Sequence, residues 1–338
     1  MNPDQPTYRS PWAQVAAVVA MLTVLISLVL TAFAWPAAKS TVHDVPIAVA
    51  GPTAATQPVI AALQQRDADA FDITQVADTA AAETAVRERE VYGAIDVSTG
   101  TPSVLIASAA SPAIAQTLQA VAGGLGQQQT ATAQVRDLAP LPADDPRGAG
   151  LSAGSLPLVL GGMLAAVLLT SRIRGAAQRL VGAAAYSVTG GLAMAAILQF
   201  GLGSLEGDYW ANAGAIALAV AATSFTILGL EALLGTAGFA IGAVLMMLLG
   251  NPLSGMTSAP EMLPGISGQI GQFLPPGAAG HLLRSTAFFD SHDVTQPVLV
   301  LTVWLVVGAA LVTVAGLRSQ RRRTSSAAES TVASPVTV

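Results

Sequence analysis

The chain contains no cysteine. Disulfide staples, thiolate metal sites and dithiol redox chemistry are therefore excluded, and any large water-exposed unit must be stable without covalent help. Charge is scarce, at 10% of 338 residues, and aromatics make up only 5%. No basic stripe interleaved with aromatics occurs, which argues against nucleic acid as a partner. The phosphate-cradling pattern GxxxxGK[ST] is missing, so ATP is not held here by a Walker-type loop. The metalloprotease pattern HExxH and the nucleophile elbow GxSxG are missing as well. His43 stands beside Asp44, but no second histidine or carboxylate cluster lies at ligand spacing, so no metal and no cofactor is expected in this chain.

What the chain does have is apolar length. It is 52% hydrophobic with a mean hydropathy of +0.59, the range of a polytopic membrane protein rather than a soluble enzyme. A helix needs about 20 apolar residues to cross about 30 Å of hydrocarbon. Six segments qualify: 12–34, 153–170, 180–201, 211–231, 233–250 and 297–317. The fourth and fifth nearly abut and together exceed one bilayer crossing, so they must fold back, with Glu231, Gly235 and Gly238 marking the turn. The first span carries Ala32-Phe33-Ala34, which imitates a signal-peptide cleavage site. Its apolar core is longer than a signal h-region and only Arg9 precedes it, so it reads as an uncleaved anchor.

Arginines set the expected orientation. Arg172, Arg174 and Arg179 sit in the loop between the second and third spans, and Arg318 with Arg321, Arg322 and Arg323 follows the last one. The positive-inside rule puts both termini and the 171–179 loop in the cytoplasm, and residues 37–150 and 251–292 outside. The expected location is a bacterial plasma membrane, with residues 1–11 and 318–338 as cytoplasmic tails, the latter disordered.

Residues 45–125 read as a small α/β unit inserted between the first and second helices. "VPIAVAG", "FDITQV", "VYGAIDV" and "SVLIAS" are strand-like runs bounded by Gly, Pro and Asp. "QPVIAALQQR", "DTAAAETAVRERE" with Asp78 as N-cap, and "SPAIAQTLQAVAGG" are helical between and after them. The alternation predicts a partly parallel sheet with packed helices. The Pro-rich, charged stretch 135–150 reads as a stiff strap back to the membrane.

The segment "NPLSGMTSAPEMLPGISGQIGQFLPPG", 251–277, has one charged residue, Glu261, and repeated Pro and Gly. Its "GISG" around Ser267, with His281 downstream, imitates an intramembrane serine protease. The intervening "QFLPPG" breaks the helix such a dyad needs, and Ser between glycines is ordinary turn chemistry, so catalysis is not expected. Glu231 is the one ionisable residue within a span, either a water-exposed cap at the turn or a coupling carboxylate.

"DVPIAVAG" (44–51), "VYGAIDV" (91–97), "PLPADDPRG" (140–148) and "GNPLSG…PEMLPGISGQIGQFLPPG" (250–277) lie in an order of one span, an outer domain and a five-span block. This layout resembles the permease subunits of the ABC type-2 exporter group, in the branch of phage-infection-protein-like membrane proteins. The resemblance implies a lid or re-entrant region before the last span. Its polar lining would come from Asn251, Ser254, Glu261, Gln269 and Gln272, and its breaks from Pro252, Gly255, Pro264, Pro275 and Pro276. An interfacial loop that only packs on the spans remains the alternative. The resemblance also implies a dimer and a separate ATPase carrying the nucleotide. The N-terminal tail and outer domain are shorter than in that branch, which places ATPase contact on Arg172, Arg174, Arg179 and the turn near Glu231. The expected function is outward movement of an amphipathic or hydrophobic substrate. The alternative is a non-transporting surface or secretion-accessory protein whose outer domain binds a partner.

Overall fold

The computed structural model describes residues 11–128 and 133–332. Arg9 lies outside them. The chain is mostly helical, and five helices are long and apolar enough to cross a membrane, the architecture of a multi-pass helical membrane protein. They are α1 (Trp12–Ala38), α5 (Ala149–Arg172), α6 (Ala176–Ala196, prolonged by a π turn Ile197–Gly201), α7 (Tyr209–Leu234) and α11 (Thr295–Val332).

The expected fifth of six spans differs. After α7 the chain reverses at Gly235, whose φ of +62° suits a residue without Cβ. It then runs back as α8 (Thr236–Ala243), eight residues, and a seven-residue π turn, Val244–Gly250. Together these rise at most about 22 Å, short of the roughly 30 Å of a hydrocarbon core. Hydropathy sees one apolar run there, but Asn251-Pro252 turns the chain aside before it reaches the level where a full span would end.

Helix α7 is the axis of the bundle and is buried over most of its length by α5, α6, α8, α11 and α10 (Pro275–Phe288). Its composition permits this, because a helix that is apolar all round has no face to give to water. Ala213, Ala219, Ala222 and Gly229 let neighbours approach, and a Cβ on Gly229 would overlap α11 at Gly308. Hydroxyls add bonds between helices: Ser224 Oγ donates to the Gly162 carbonyl (3.2 Å) and Thr226 Oγ1 lies 3.3 Å from the Trp304 carbonyl. By contrast α1 buries only Pro36.

Between α1 and α5 lies a five-stranded sheet, β1 (Val45–Ala50), β2 (Phe71–Val76), β3 (Gly93–Asp96), β4 (Ser103–Ile106) and β5 (Gln134–Asp137), in the order β2-β1-β3-β4-β5. β1 is parallel to β2 and β3, β4 is antiparallel to β3, and β5 is parallel to β4. Alternation along β1 sorts the two faces. Val45, Ile47 and Val49 pack with α2 (Thr53–Arg66) and α4 (Pro112–Gln128), while Ala48 and Ala50 pack with α3 (Thr79–Arg87). Asp78 caps α3 by accepting from Ala81 N at 2.9 Å.

Two boundaries move relative to the sequence reading. The strap at 135–150 begins as β5, a charged edge strand whose backbone pairs with β4. The tail expected to be disordered from 318 instead continues α11 to Val332, while 333–338 lies outside the described residues. Arg, Gln, Ala and Glu, all good helix formers, supply eight of the fifteen residues of that stretch.

Candidate functional site

The residues 251–277 form a broken element. From Asn251 the chain turns through Ser254, whose hydroxyl donates to the Asn251 carbonyl (2.7 Å) and accepts from Met256 N (3.3 Å). A short 3-10 turn at Pro260–Met262 leads to Pro264, whose carbonyl accepts from Ser267 N and Oγ, and then to the six-residue α9 (Ser267–Gln272). Gln272 Nε2 donates back to the Ser254 carbonyl at 3.0 Å and closes the loop. Pro275 and Pro276 open α10, where a missing N–H costs nothing.

Two measures set this element level with the apolar helices rather than beyond their ends. The α8 arm ends about 8 Å short of a full crossing, by the length argument above. Independently, Trp304 Nε1 donates to the Phe273 carbonyl at 2.9 Å. Trp304 lies about two turns into the apolar run of α11 that starts at Pro297, so the end of α9 sits roughly 10 Å below the end of that span. Pro275 and Pro276 are buried deeper still, against Ser155 and Leu158 of α5 and Ala219 and Thr223 of α7. They pack a core rather than line an opening.

Irregular backbone is tolerated at such depth only where protein or water satisfies it. Two cavities flank the element. One, of about 370 Å³, lies between the end of α1 and the turn formed by Asn251, Pro252, Ser254 and Gly255. The other, of about 490 Å³, is walled on one side by Glu261, Gln269 and Gln272 and on the other by the sheet unit through His43, Asp44, Arg89 and Tyr92. Pro264 lines neither of the two and serves the Ser267 turn instead.

The sheet unit is fastened to the bundle across this second cavity. Arg89 Nη1 donates to the His281 carbonyl (3.1 Å) and to Ser285 Oγ (2.5 Å), and its guanidinium lies 5.1 Å from the centre of the Phe289 ring. Tyr92 donates to Glu261 Oε2 at 2.8 Å, and Ser111 Oγ donates to the Ser258 carbonyl at 2.8 Å. Each core of the sheet unit is completed by the bundle: Ala259 on the α2–α4 face and Phe289 on the α3 face. Arg89 adopts φ +64°, a conformation that a long side chain holds only when its surroundings over-determine it. Burial lowers its pKa, partly offset by Tyr92, Asp293 and Glu261, and burial together with Glu261 pushes the Tyr92 phenol well up, so it stays a donor.

No family model, no curated protein and no solved structure matches this chain. Function must therefore be argued from geometry alone.

The other predicted residues gather at the opposite end of the bundle. Arg172 and Arg174 are exposed. Arg179 donates to the carbonyls of Ile173 and Thr170 (3.0 Å each), capping α5, and approaches Glu231 Oε2 at 3.6 Å. Thr170 Oγ1 also donates to Glu231 at 3.3 Å. Arg179 and Glu231 thus tie α5 and α6 to α7. The pair is about a quarter exposed, so Arg179→Ala is expected to lower stability by only about 1 kcal/mol, measured by thermal unfolding in detergent.

Sequence reasoning missed Arg89, Asp293 and Phe289, and met His281 only as a member of the imitation dyad. His281 Nε2 lies 2.8 Å from Asp293 Oδ2, and Ser267 turns to Pro264, so the imitation dyad has no bond between its members. The bond from His281, and Coulomb attraction, hold the Asp293 carboxyl below its ordinary pKa against the opposing effect of burial. The unfolded chain therefore binds this proton more readily than the folded one. The stabilisation is present above the ordinary carboxylate pKa of about 3.9 and is lost as pH falls from there through the lower folded-state pKa. Melting followed from pH 6 downward is expected to show this slope, and Asp293→Asn is expected to flatten it.

Proposed function

We propose that this chain is the permease-like subunit of a two-part exporter of the ABC type-2 kind, moving an amphipathic or hydrophobic substrate outward across a bacterial plasma membrane. The observation that carries the reading is the broken element 236–288 at membrane depth, which is polar on its cavity side and fastened to the sheet unit through Arg89 and Tyr92. Discontinuous helices at that depth are a recurring means of building a transport site. A sixth crossing is made jointly by α8, the π turn and α10, and the α/β unit faces outside. Arg172, Arg174 and Arg179 share the far end with Arg318, since α11 at Gly316 adjoins α6 at Ala176, and this supports a cytoplasmic assignment for that end.

Among the described residues the bundle around α7 is filled, and the void beside Pro275 and Thr223 is only about 10 Å³. A path would then form between two copies, with α1 and its uncovered apolar surface available to lipid or to the second copy. ATP would act on a separate subunit, docked at Arg172 and Arg174.

A second reading has its own support. The end of β3 at Asp96 borders a hollow of about 360 Å³ lined by sheet-unit residues alone, where a non-transporting accessory protein would bind a partner. Mild-detergent pull-down of the tagged protein from its native membrane, with mass spectrometry, separates the two. A stoichiometric nucleotide-binding subunit is expected. Its absence, with an envelope or secretion protein in its place, would overturn the exporter reading.

A further inference from the structure

We propose that the 490 Å³ cavity binds an organic cation with an apolar tail, of the long-chain amine class, which reaches it from the lipid past α9; this rests on the permease reading and names its substrate class. Four carboxylates border the cavity, Asp44 and Glu90 from the sheet unit and Glu261 and Asp293 from the bundle. The one arginine, Arg89, directs its guanidinium to the His281 carbonyl, Ser285 and the Phe289 ring. The cavity is thus biased toward a positive headgroup and against an anionic one. Among the described residues no group of three or more His, Cys, Asp or Glu is arranged to hold a metal ion, which favours an organic cation.

The wall toward the membrane has two chemistries on one short helix. Ile266, Ile270 and Phe273 recur at helical spacing and are 67%, 48% and 61% exposed, at the depth set by the bond from Trp304. Gln269 and Gln272 border the cavity, and Phe273 borders it as well as being exposed. A ligand with its head among the carboxylates has Phe273 beside it and lipid immediately beyond. The wall is thin and tightly seated: a Cβ on Gly268 would overlap the Pro260 carbonyl.

The test uses the full chain in phosphatidylcholine nanodiscs, titrated with dansyl-labelled dodecylamine and with the matching alcohol and carboxylate, against empty nanodiscs. Saturable binding of the amine is expected, about tenfold tighter than either analogue. The double variant Asp44→Asn/Glu90→Gln alters two exposed side chains, and Asn tolerates the φ of +50° at position 44. It is expected to keep its melting temperature and weaken amine binding about tenfold. Phe273→Ser is expected to weaken dodecylamine more than butylamine. Equal binding of all three probes, uptake no greater than that of empty nanodiscs, or an unaffected acid-to-amide variant would overturn the proposal. Amine binding without a co-purifying ATPase would leave the site standing and remove the exporter reading. An ATPase without amine binding would do the reverse.

Discussion

Arg89→Ala is expected to release the sheet unit from the bundle while both remain folded, at a cost of about 3 kcal/mol to their docking. The side chain makes two charge-assisted hydrogen bonds and one ring contact across the junction, and removing it strands the Ser285 hydroxyl in a buried site. Thermal unfolding should separate into two transitions, and protease should gain access to the connection at 138–148. Arg89→Gly removes the same contacts but relieves the strain at φ +64°, so it should be less harmful than the alanine variant by about 1 kcal/mol. Arg89→Lys retains the charge without the planar fork and should fall between wild type and alanine. A single unchanged transition in all three variants would show that the junction is held without Arg89, by the Tyr92 and Ser111 hydrogen bonds and the packing of Ala259 and Phe289.

Gly271→Ala is expected to be the most damaging small substitution in the broken element. A Cβ there would overlap the Leu253 carbonyl, and the Gly271 carbonyl is itself the atom that a Cβ on Gly277 would strike. The obstacle is backbone and cannot rotate away, so the methyl forces apart the turn closed by Gln272 and Ser254. The cost should reach about 3 kcal/mol or more. Gly214→Ala in α7 is the matched control, because nothing lies within contact of a Cβ there and alanine is the better helix former. It should be neutral or slightly stabilising. Melting curves of the two proteins in the same detergent give the comparison directly.

Much of this architecture is legible in the sequence, and the exceptions have physical causes. The four strand-like runs coincide with β1 to β4, because short β-branched stretches bounded by Gly, Pro and Asp have few other solutions. β5 escaped because "QVRD" has a single apolar residue, and an edge strand needs only backbone pairing. Hydropathy counted Val244–Gly250 as the end of a span, since it sees apolarity but not the Asn251-Pro252 turn that diverts the chain. In the candidate site, the polar residues of 251–277 stand out against apolar surroundings, and the structure brings Glu261, Gln269 and Gln272 to one cavity. Arg89 did not stand out. "RERE" reads as a solvated helix end, and neither the positive φ nor the contact with His281, almost two hundred residues away in the chain, leaves a local pattern. Arg179 and Glu231 were conspicuous for charge, yet their mutual pairing follows from the packing of α5, α6 and α7.

We propose that 251–274 sits at membrane depth, with lipid on one side and a water-accessible cavity on the other. Because the chain has no cysteine, single substitutions at Ile266, Gln269, Ile270, Gln272 and Phe273 can each carry a nitroxide label in a lipid bilayer. Relaxation by oxygen, which concentrates in lipid, is compared with relaxation by a water-soluble nickel chelate. Oxygen is expected to dominate at 266 and 270 and the chelate at 269 and 272, with 273, which also borders the cavity, open to both. Chelate access at all five positions would place the segment in water above the membrane and rule this placement out.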